Sequence, residues 1–467
     1  MHNRVAGRLA AVGIAALAMG IAATPAHAEK IANSYICVFK NDRVAKDDVP
    51  GRANAAAKAQ GGAVKHIYRN TIRGFSANKS EQAVTAMRRA NPSIAYCEQD
   101  QVVTLGPIRA EARPGGGGTQ PAQTTPWGIM RVGGFADGTG KRAWIIDSGI
   151  DGSHPDLNVD TARSKDFTGS RSGWKDESGH GTHVAATIGG SNYGVAPSVA
   201  IVPVRVLDCN GSGTTSGVIA GIDWVIAHHV AGTPSVANMS LGGGRSSALD
   251  IAVQNGVRDG VVFVVAAGNS NANACQTSPA GEPLAVTVGS TTSADARSSF
   301  SNFGTCLDVF APGSSILSAW YTSTTATNTI SGTSMASPHV AGVAALGLGI
   351  APDSSVQQIS DWITNTATRD VLANVGTGSP NLLVYSRLTK RLQINRTASF
   401  GEYIRLVANN AAERRIMVNL LTTNHTLIRD KKGVEVGLVI NDHINLLINE
   451  AERQKKPVDA LGVSVPG

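Results

Sequence analysis

Ser334 follows Gly332-Thr333 and leads into the apolar run Met335-Ala336-Ser337-Pro338-His339-Val340-Ala341-Gly342. That layout puts one hydroxyl at a helix start, beside backbone N–H groups that no helical carbonyl reaches and where the helix dipole favours an anion. The position suits a nucleophile and equally a helix N-cap, so residues elsewhere must decide. Asp147 ends the apolar run Trp144-Ile145-Ile146, where a carboxylate is partly buried and needs a partner. His180 stands in Ser178-Gly179-His180-Gly181-Thr182-His183, between glycines that let backbones come close, and opens a helix. The three types supply nucleophile, base and orienter in the chain order Asp, His, Ser.

Such side chains need strand ends and helix starts to hold them. Residues 143–147, 200–207, 236–241 and 261–267 are near-continuous hydrophobic runs, the pattern of strands buried on both faces of a parallel sheet. Helix candidates at 183–188, 215–228 and 247–257 alternate with them, which predicts an open α/β fold whose ligands bind beyond the carboxyl ends of the strands. Residues 34–105 read as a separate small α/β unit: strand Tyr35–Phe39, helix Arg52–Gln60, strand Val64–Tyr68, a turn near Gly74, helix Glu81–Arg89 and an extended Ile94–Leu105. The stretch Arg113-Pro114-Gly115-Gly116-Gly117-Gly118-Thr119-Gln120-Pro121 has the composition of an exposed linker. In the tail, Ile440, Ile444, Leu447, Ile448 and Ala451 fall at helical spacing with Asn441 as a cap, and Glu402–Ala408 reads as a strand.

Composition bounds the function. With 467 residues, 42% hydrophobic and 16% charged, the chain is globular and has room for more than one domain. The net charge of +7 is not gathered into basic clusters interleaved with aromatics, so a nucleic-acid partner is not expected. Arg4 and Arg8 precede an apolar run from Leu9 to Ala23, and Ala26-His27-Ala28 has the form of a signal-peptidase site. Export is therefore expected, to the extracellular space or periplasm, with no membrane attachment once residues 1–28 are removed. Of five cysteines maturing in an oxidising space, at least one must lack a partner within the chain. Cys37 and Cys97 lie in candidate strands and can be either a bridge or two buried thiols.

Asp147-Ser148-Gly149, His180-Gly181-Thr182-His183 and Gly332-Thr333-Ser334-Met335-Ala336 together resemble the three signature blocks of the subtilisin-like serine proteases, over roughly residues 126–385. Thr125-Pro126-Trp127-Gly128 and Gly281-Glu282-Pro283 resemble the proteinase K branch, and Gly74-Phe75-Ser76-Ala77 with Tyr96-Cys97-Glu98-Gln99-Asp100 resemble its inhibitory propeptide. The resemblance implies a subtilisin-like sheet preceded by a small α+β ferredoxin-like propeptide. The expected layout is a signal at 1–28, propeptide at 29–106, linker with maturation site at 107–122, catalytic domain at 123–387 and an extension at 388–467.

It implies that His180 accepts the Ser334 proton, Asp147 orients the imidazole, and Asn269 with the Ser334 N–H stabilises the oxyanion. Ser240-Leu241-Gly242 and Gly211-Ser212-Gly213 match the two substrate-pairing edges, and Ala266-Ala267-Gly268 one wall of the pocket for the residue before the cut. No acidic residue falls in these segments, so a broad preference for apolar or aromatic residues is expected. Cys275 and Cys306 match a bridge of this branch. Cys209 matches half of another whose usual partner position holds Glu177, which leaves Cys209 as the odd thiol; Ala186 stands where relatives have glycine. No cofactor is expected for catalysis; a structural Ca²⁺ would have Asp308 and the carbonyls of Pro283 and Ala285. The partners implied are protein and peptide substrates and the chain's own propeptide as intramolecular inhibitor, with the enzyme a monomer. The other class of reading is a catalytically silent binding protein on the same fold.

Overall fold

In a computed structural model the described residues are 29–107, 109–110, 125–230, 235–386, 425–429 and 435–440. The N-terminal module runs β1 (Lys30–Phe39), α1 (Val49–Lys58), β2 (Val64–Tyr68), β3 (Gly74–Asn78), α2 (Glu81–Ala90) and β4 (Ile94–Thr104). Its strands pair antiparallel in the order β2-β3-β1-β4, the split β-α-β arrangement expected of this module. A small core that includes Phe39, Val49, Phe75, Val84 and Met87 lies between sheet and helices. The turn expected near Gly74 is present: the chain bends through residues 69–73, between β2 and β3, and Gly74 opens β3. Gly74 is required there by close approach, since a Cβ would lie 2.4 Å from the Cys37 carbonyl oxygen.

After β5 (Arg109–Ala110) and α3 (Trp127–Arg131) the main domain runs β6 (Arg142–Asp147), β7 (Lys165–Asp166), α4 (His180–Gly189), β8 (Ala200–Arg205), β9 (Ser212–Thr214), α5 (Thr215–His228) and β10 (Ser235–Met239). It continues through β11 (Gly243–Gly244), α6 (Ser247–Arg258), β12 (Val261–Ala266), β13 (Thr277–Ser278), β14 (Val286–Thr291), β15 (Val309–Pro312), β16 (Ile316–Ala319) and β17 (Thr327–Ser331). The domain closes with α7 (Thr333–Ile350), α8 (Val356–Thr366), β18 (Thr368–Arg369) and β19 (Leu382–Leu383).

The main sheet has the order β18-β19-β15-β14-β12-β10-β6-β8-β7, parallel except for β18. Both faces are covered. Ala143 and Ile145 of β6 point into the core shared with α4 and α7, whereas Trp144 and Ile146 point into the core shared with α5 and α6. This double burial is why the strands read as continuous apolar runs. From β6 the chain passes through α4 to β8 on one side, while β10 flanks β6 on the other. The order thus reverses at β6, whose carboxyl end carries Asp147.

In the tail, β20 (His425–Arg429) and β21 (Glu435–Ile440) form an antiparallel hairpin. Ile440 thus closes a strand; the rest of the helix expected after it, and the strand expected at 402–408, lie outside the described residues.

Candidate active site

Asp147 and His180 are both fully buried, and Asp147 Oδ1 lies 2.8 Å from His180 Nδ1. The same oxygen accepts the Ser148 N–H at 2.7 Å. His180 opens α4 because Gly179, at φ +94°, takes the left-handed N-cap conformation, and because Gly181 lies against the β6 loop. A Cβ on Gly181 would sit 2.0 Å from the Gly149 carbonyl oxygen. With Nδ1 held by the carboxylate, His180 Nε2 is the ring nitrogen without a hydrogen-bond partner. His183, one turn on, is a structural histidine: Nε2 lies 3.0 Å from the Ile316 carbonyl oxygen, and burial pushes its pKa down to about 3, so it stays neutral.

Ser334 is the second residue of α7, which has no side-chain N-cap bond. Its Oγ donates to the Ser240 carbonyl at 3.2 Å, while Ser240 Oγ donates to the Ser334 carbonyl at 2.8 Å. These reciprocal bonds lock the serine to one of the expected substrate edges. Asn269, just past β12, accepts the Thr333 N–H and the Thr333 hydroxyl on Oδ1, each at 2.8 Å. Those donors fix the amide's orientation and turn Nδ2 the other way. A Cβ at Gly106 or at Gly332 would lie 3.4 Å from Nδ2, so the donor faces the chain crossing the site.

That crossing chain is the protein's own. β4 pairs antiparallel with β9, Val102 to Thr214 and Thr104 to Ser212. Thr104 exchanges two 3.0 Å hydrogen bonds with Gly242, and Leu105 N–H donates to Gly211 at 3.2 Å. Farther on, Arg109 and Ala110 pair with Ser331 and Ile330 of β17. The two edges expected from sequence thus face one another with a strand between them. Ala266 and Ala267 are buried at the end of β12, and Gly268 follows at φ +102°.

Cys275 and Cys306 form a disulfide, as do Cys37 and Cys97, and Cys209 is a free, exposed thiol. At the position expected to hold the cysteine partner of Cys209, Glu177 accepts from Ser172, from the buried Arg205 guanidinium and from Ser170, which hold its carboxyl down at about 2. Asp308 is a partly buried carboxylate with one hydrogen bond, from the Thr287 N–H at 2.7 Å, and desolvation pushes it up to about 6. A partly desolvated carboxylate with no salt-bridge partner among the described residues fits a cation. Among the described residues no three His, Cys, Asp or Glu side chains converge, so any other ligands there would be carbonyl oxygens. The residue that sequence reasoning missed is Asp176, whose carboxylate gathers five donors between the β6 loop and α4. Its only signal was an acidic residue four positions before a helix-start histidine.

Comparison with known proteins agrees with this geometry. The subtilase family model matches residues 143–398. A model of the all-alpha domain of CheR methyltransferase matches residues 381–422; that stretch overlaps the subtilase match and includes β19 of the sheet, so it adds no activity here. An extracellular serine proteinase of Thermus sp. (strain Rt41A) is 47% identical over 70% of this chain and 78% of its own length. Proteinase R of Parengyodontium album is 39% identical over 77% of this chain and 90% of its own. The crystal structure of a cold adapted subtilisin-like serine proteinase, 51% identical, covers 56% of this chain and 98% of that one with a TM-score of 0.53. Each of these relatives is named a proteinase, which leaves the silent-binding alternative without support. The chain belongs to the subtilase family of serine endopeptidases.

Proposed function

We propose that the protein is a secreted zymogen whose catalytic residues are Asp147, His180, Ser334 and Asn269. His180 Nε2 takes the Ser334 proton as Oγ attacks the scissile carbonyl, and returns it to the leaving amine; water then hydrolyses the acyl-enzyme by the reverse transfers. Asp147 holds the imidazolium in its orientation. Asn269 Nδ2 and the Ser334 N–H donate to the oxyanion; losing such a side-chain donor costs about 10² to 10³ in turnover, a figure measured in this family. Residues 29–106 are the inhibitory propeptide. The observation that carries the reading is the chain's own β4, lying between β9 and Gly242 as a peptide substrate would, with Gly106 beside Asn269. Self-cleavage within 105–126 would free the catalytic domain, and uncharged walls at Ala266, Ala267 and Gly268 favour apolar or aromatic residues before the cut. The name of the Thermus relative, an extracellular proteinase, supports export. A Ca²⁺ at Asp308 would be structural and take no part in the reaction.

The test is the full chain with and without Ser334→Ala. The wild type should shorten to its mature size and hydrolyse casein, and the variant should do neither. Equal processing and hydrolysis in both would overturn the assignment.

A further inference from the structure

Asp176 lies outside the catalytic set, yet it ties together the two segments that carry Asp147 and His180. It is buried, with 7% exposure. Its Oδ1 accepts from Ser148 Oγ at 3.0 Å and from the Ser178 and Gly179 N–H groups at 2.9 Å. Its Oδ2 accepts from the Thr182 N–H at 3.0 Å and from the Thr182 hydroxyl at 2.6 Å. Ser148 Oγ in turn accepts the Gly181 N–H at 3.0 Å, and Thr182 Oγ1 accepts the Asp151 N–H at 2.9 Å. His180 therefore stands between two residues, Gly179 and Gly181, whose amides are fixed by Asp176 directly or through Ser148. Asp147 is fixed from the other side, because Ser148 donates its own N–H to Asp147 Oδ1.

The physical need is clear from α4 itself. Its N-cap is a left-handed glycine with no side chain to satisfy the first amides of the helix, and these would be buried without partners. A carboxylate supplied from upstream satisfies them. We propose that Asp176 is the positioning residue of the catalytic centre, setting the His180 ring against Asp147 and Ser334 by bracing the β6 loop and the start of α4 with one buried carboxylate. It touches neither substrate nor reacting atoms. Its effect therefore belongs to turnover, since the substrate edges Gly211–Thr214 and Ser240–Gly244 are carried by other segments.

The inference rests on the assignment of Asp147, His180 and Ser334, and the test separates the two. Asp176→Asn keeps the shape but turns an NH₂ against N–H or O–H donors. Full-length variants are nicked in the linker with trypsin, the trypsin is blocked, the module is separated from the catalytic domain on a sizing column in mild denaturant, and active centres are counted after its removal with a serine-directed phosphonate. Asp176→Asn should lower kcat per active centre by about 10²-fold, the effect of a displacement near 1 Å, with KM for a peptide amide unchanged within about threefold. The phosphonylated enzyme should still melt cooperatively. If Asp176→Asn does not fold, Ser148→Ala serves instead. It removes one of the five donors and the Gly181 acceptor, and should lower kcat about tenfold at constant KM. A kcat per active centre within about threefold of wild type in the folded variant overturns the proposal, as does a loss carried by KM. If Ser334→Ala itself retains hydrolysis, the catalytic assignment fails; if Ser334→Ala is inactive and Asp176→Asn unimpaired, only the positioning role fails.

Discussion

Asp308 binds a proton more tightly when folded than when unfolded, because burial raises its carboxyl to about 6 from an ordinary 3.8. The folded state thus carries more bound protons between those values, so stability falls as pH rises from about 4 to 6 and stays lower above. The loss is on the order of 3 kcal/mol. A divalent cation would replace the missing proton and recover part of that loss only where the carboxylate is ionised. We expect millimolar Ca²⁺ to raise the melting temperature of the matured, phosphonylated enzyme at pH 8 and to have little effect at pH 4.5. Asp308→Asn should abolish the difference. An equal shift at both pH values, or one that survives in Asp308→Asn, would place the ion elsewhere. The same scale shows what the sequence could yield. Asp147, His180 and Ser334 were legible because each sits where an apolar run ends or a helix begins. Asp176 was not, since its five donors sit on four residues split between the loop after β6 and the start of α4, and no local pattern encodes the approach of those two segments.

The elements were read more fully than their pairings. Strands β6, β8, β10 and β12 were legible as doubly buried runs, and α5 from Thr215 to His228 in full. Gly74 marks the end of the turn at residues 69–73 as its type suggests, and it also admits β1 at close range, which no local pattern showed. The state of Cys37 and Cys97 could not be read, as it depends on register: they stand directly opposite on β1 and β4, and they are bridged. That bridge closes a 60-residue separation, and loop-closure entropy assigns it about 4 kcal/mol. For a module this small such a term decides whether it is folded at all. Since β4 continues from Cys97 through Glu98 and Asp100 into the groove, its order bears on how firmly the module occupies that groove. A Ser334→Ala chain cannot cut itself, and nicking it in the linker would leave the module held by contacts alone. We expect the module to co-elute with the catalytic domain from a sizing column, and Cys37→Ser with Cys97→Ser to separate from it at least tenfold faster. Equal retention would show that the bridge is dispensable to the complex.

At the scale of the whole molecule, the module is held by carboxylates set against helix starts. Asp100 accepts the Ser216 N–H and hydroxyl at the start of α5, and Glu98 accepts from Ser246 and from the Ala248 N–H at the start of α6. In the opposite direction, Asp223 of α5 accepts the amides of Asn70 and Thr71 from the module. Beside these contacts lies a cleft of about 530 Å³ lined by His66, Asn70, Phe167, Asp223, Trp224 and His228. His66 sits edge-on to Phe167 with its Nε2 unpartnered, and burial, aided by Lys65 and opposed by Asp100, pushes its pKa down to about 4. The neutral ring is therefore the form that the docked structure favours beside Phe167. Its contribution to the complex is complete above about pH 6.5 and is lost as pH falls towards 4. Glu98 acts with the opposite sign: burial raises its carboxyl, so proton uptake there favours the docked state in acid. His66 titrates from the higher starting value, so it governs first as pH falls below neutrality. The nicked Ser334→Ala complex should hold about tenfold more weakly at pH 5 than at pH 7. His66→Leu should nearly remove that dependence and uncover the weaker, opposite trend due to Glu98. Co-elution that is equally strong at both pH values in the parent chain would show that the histidine is accommodated in either charge state.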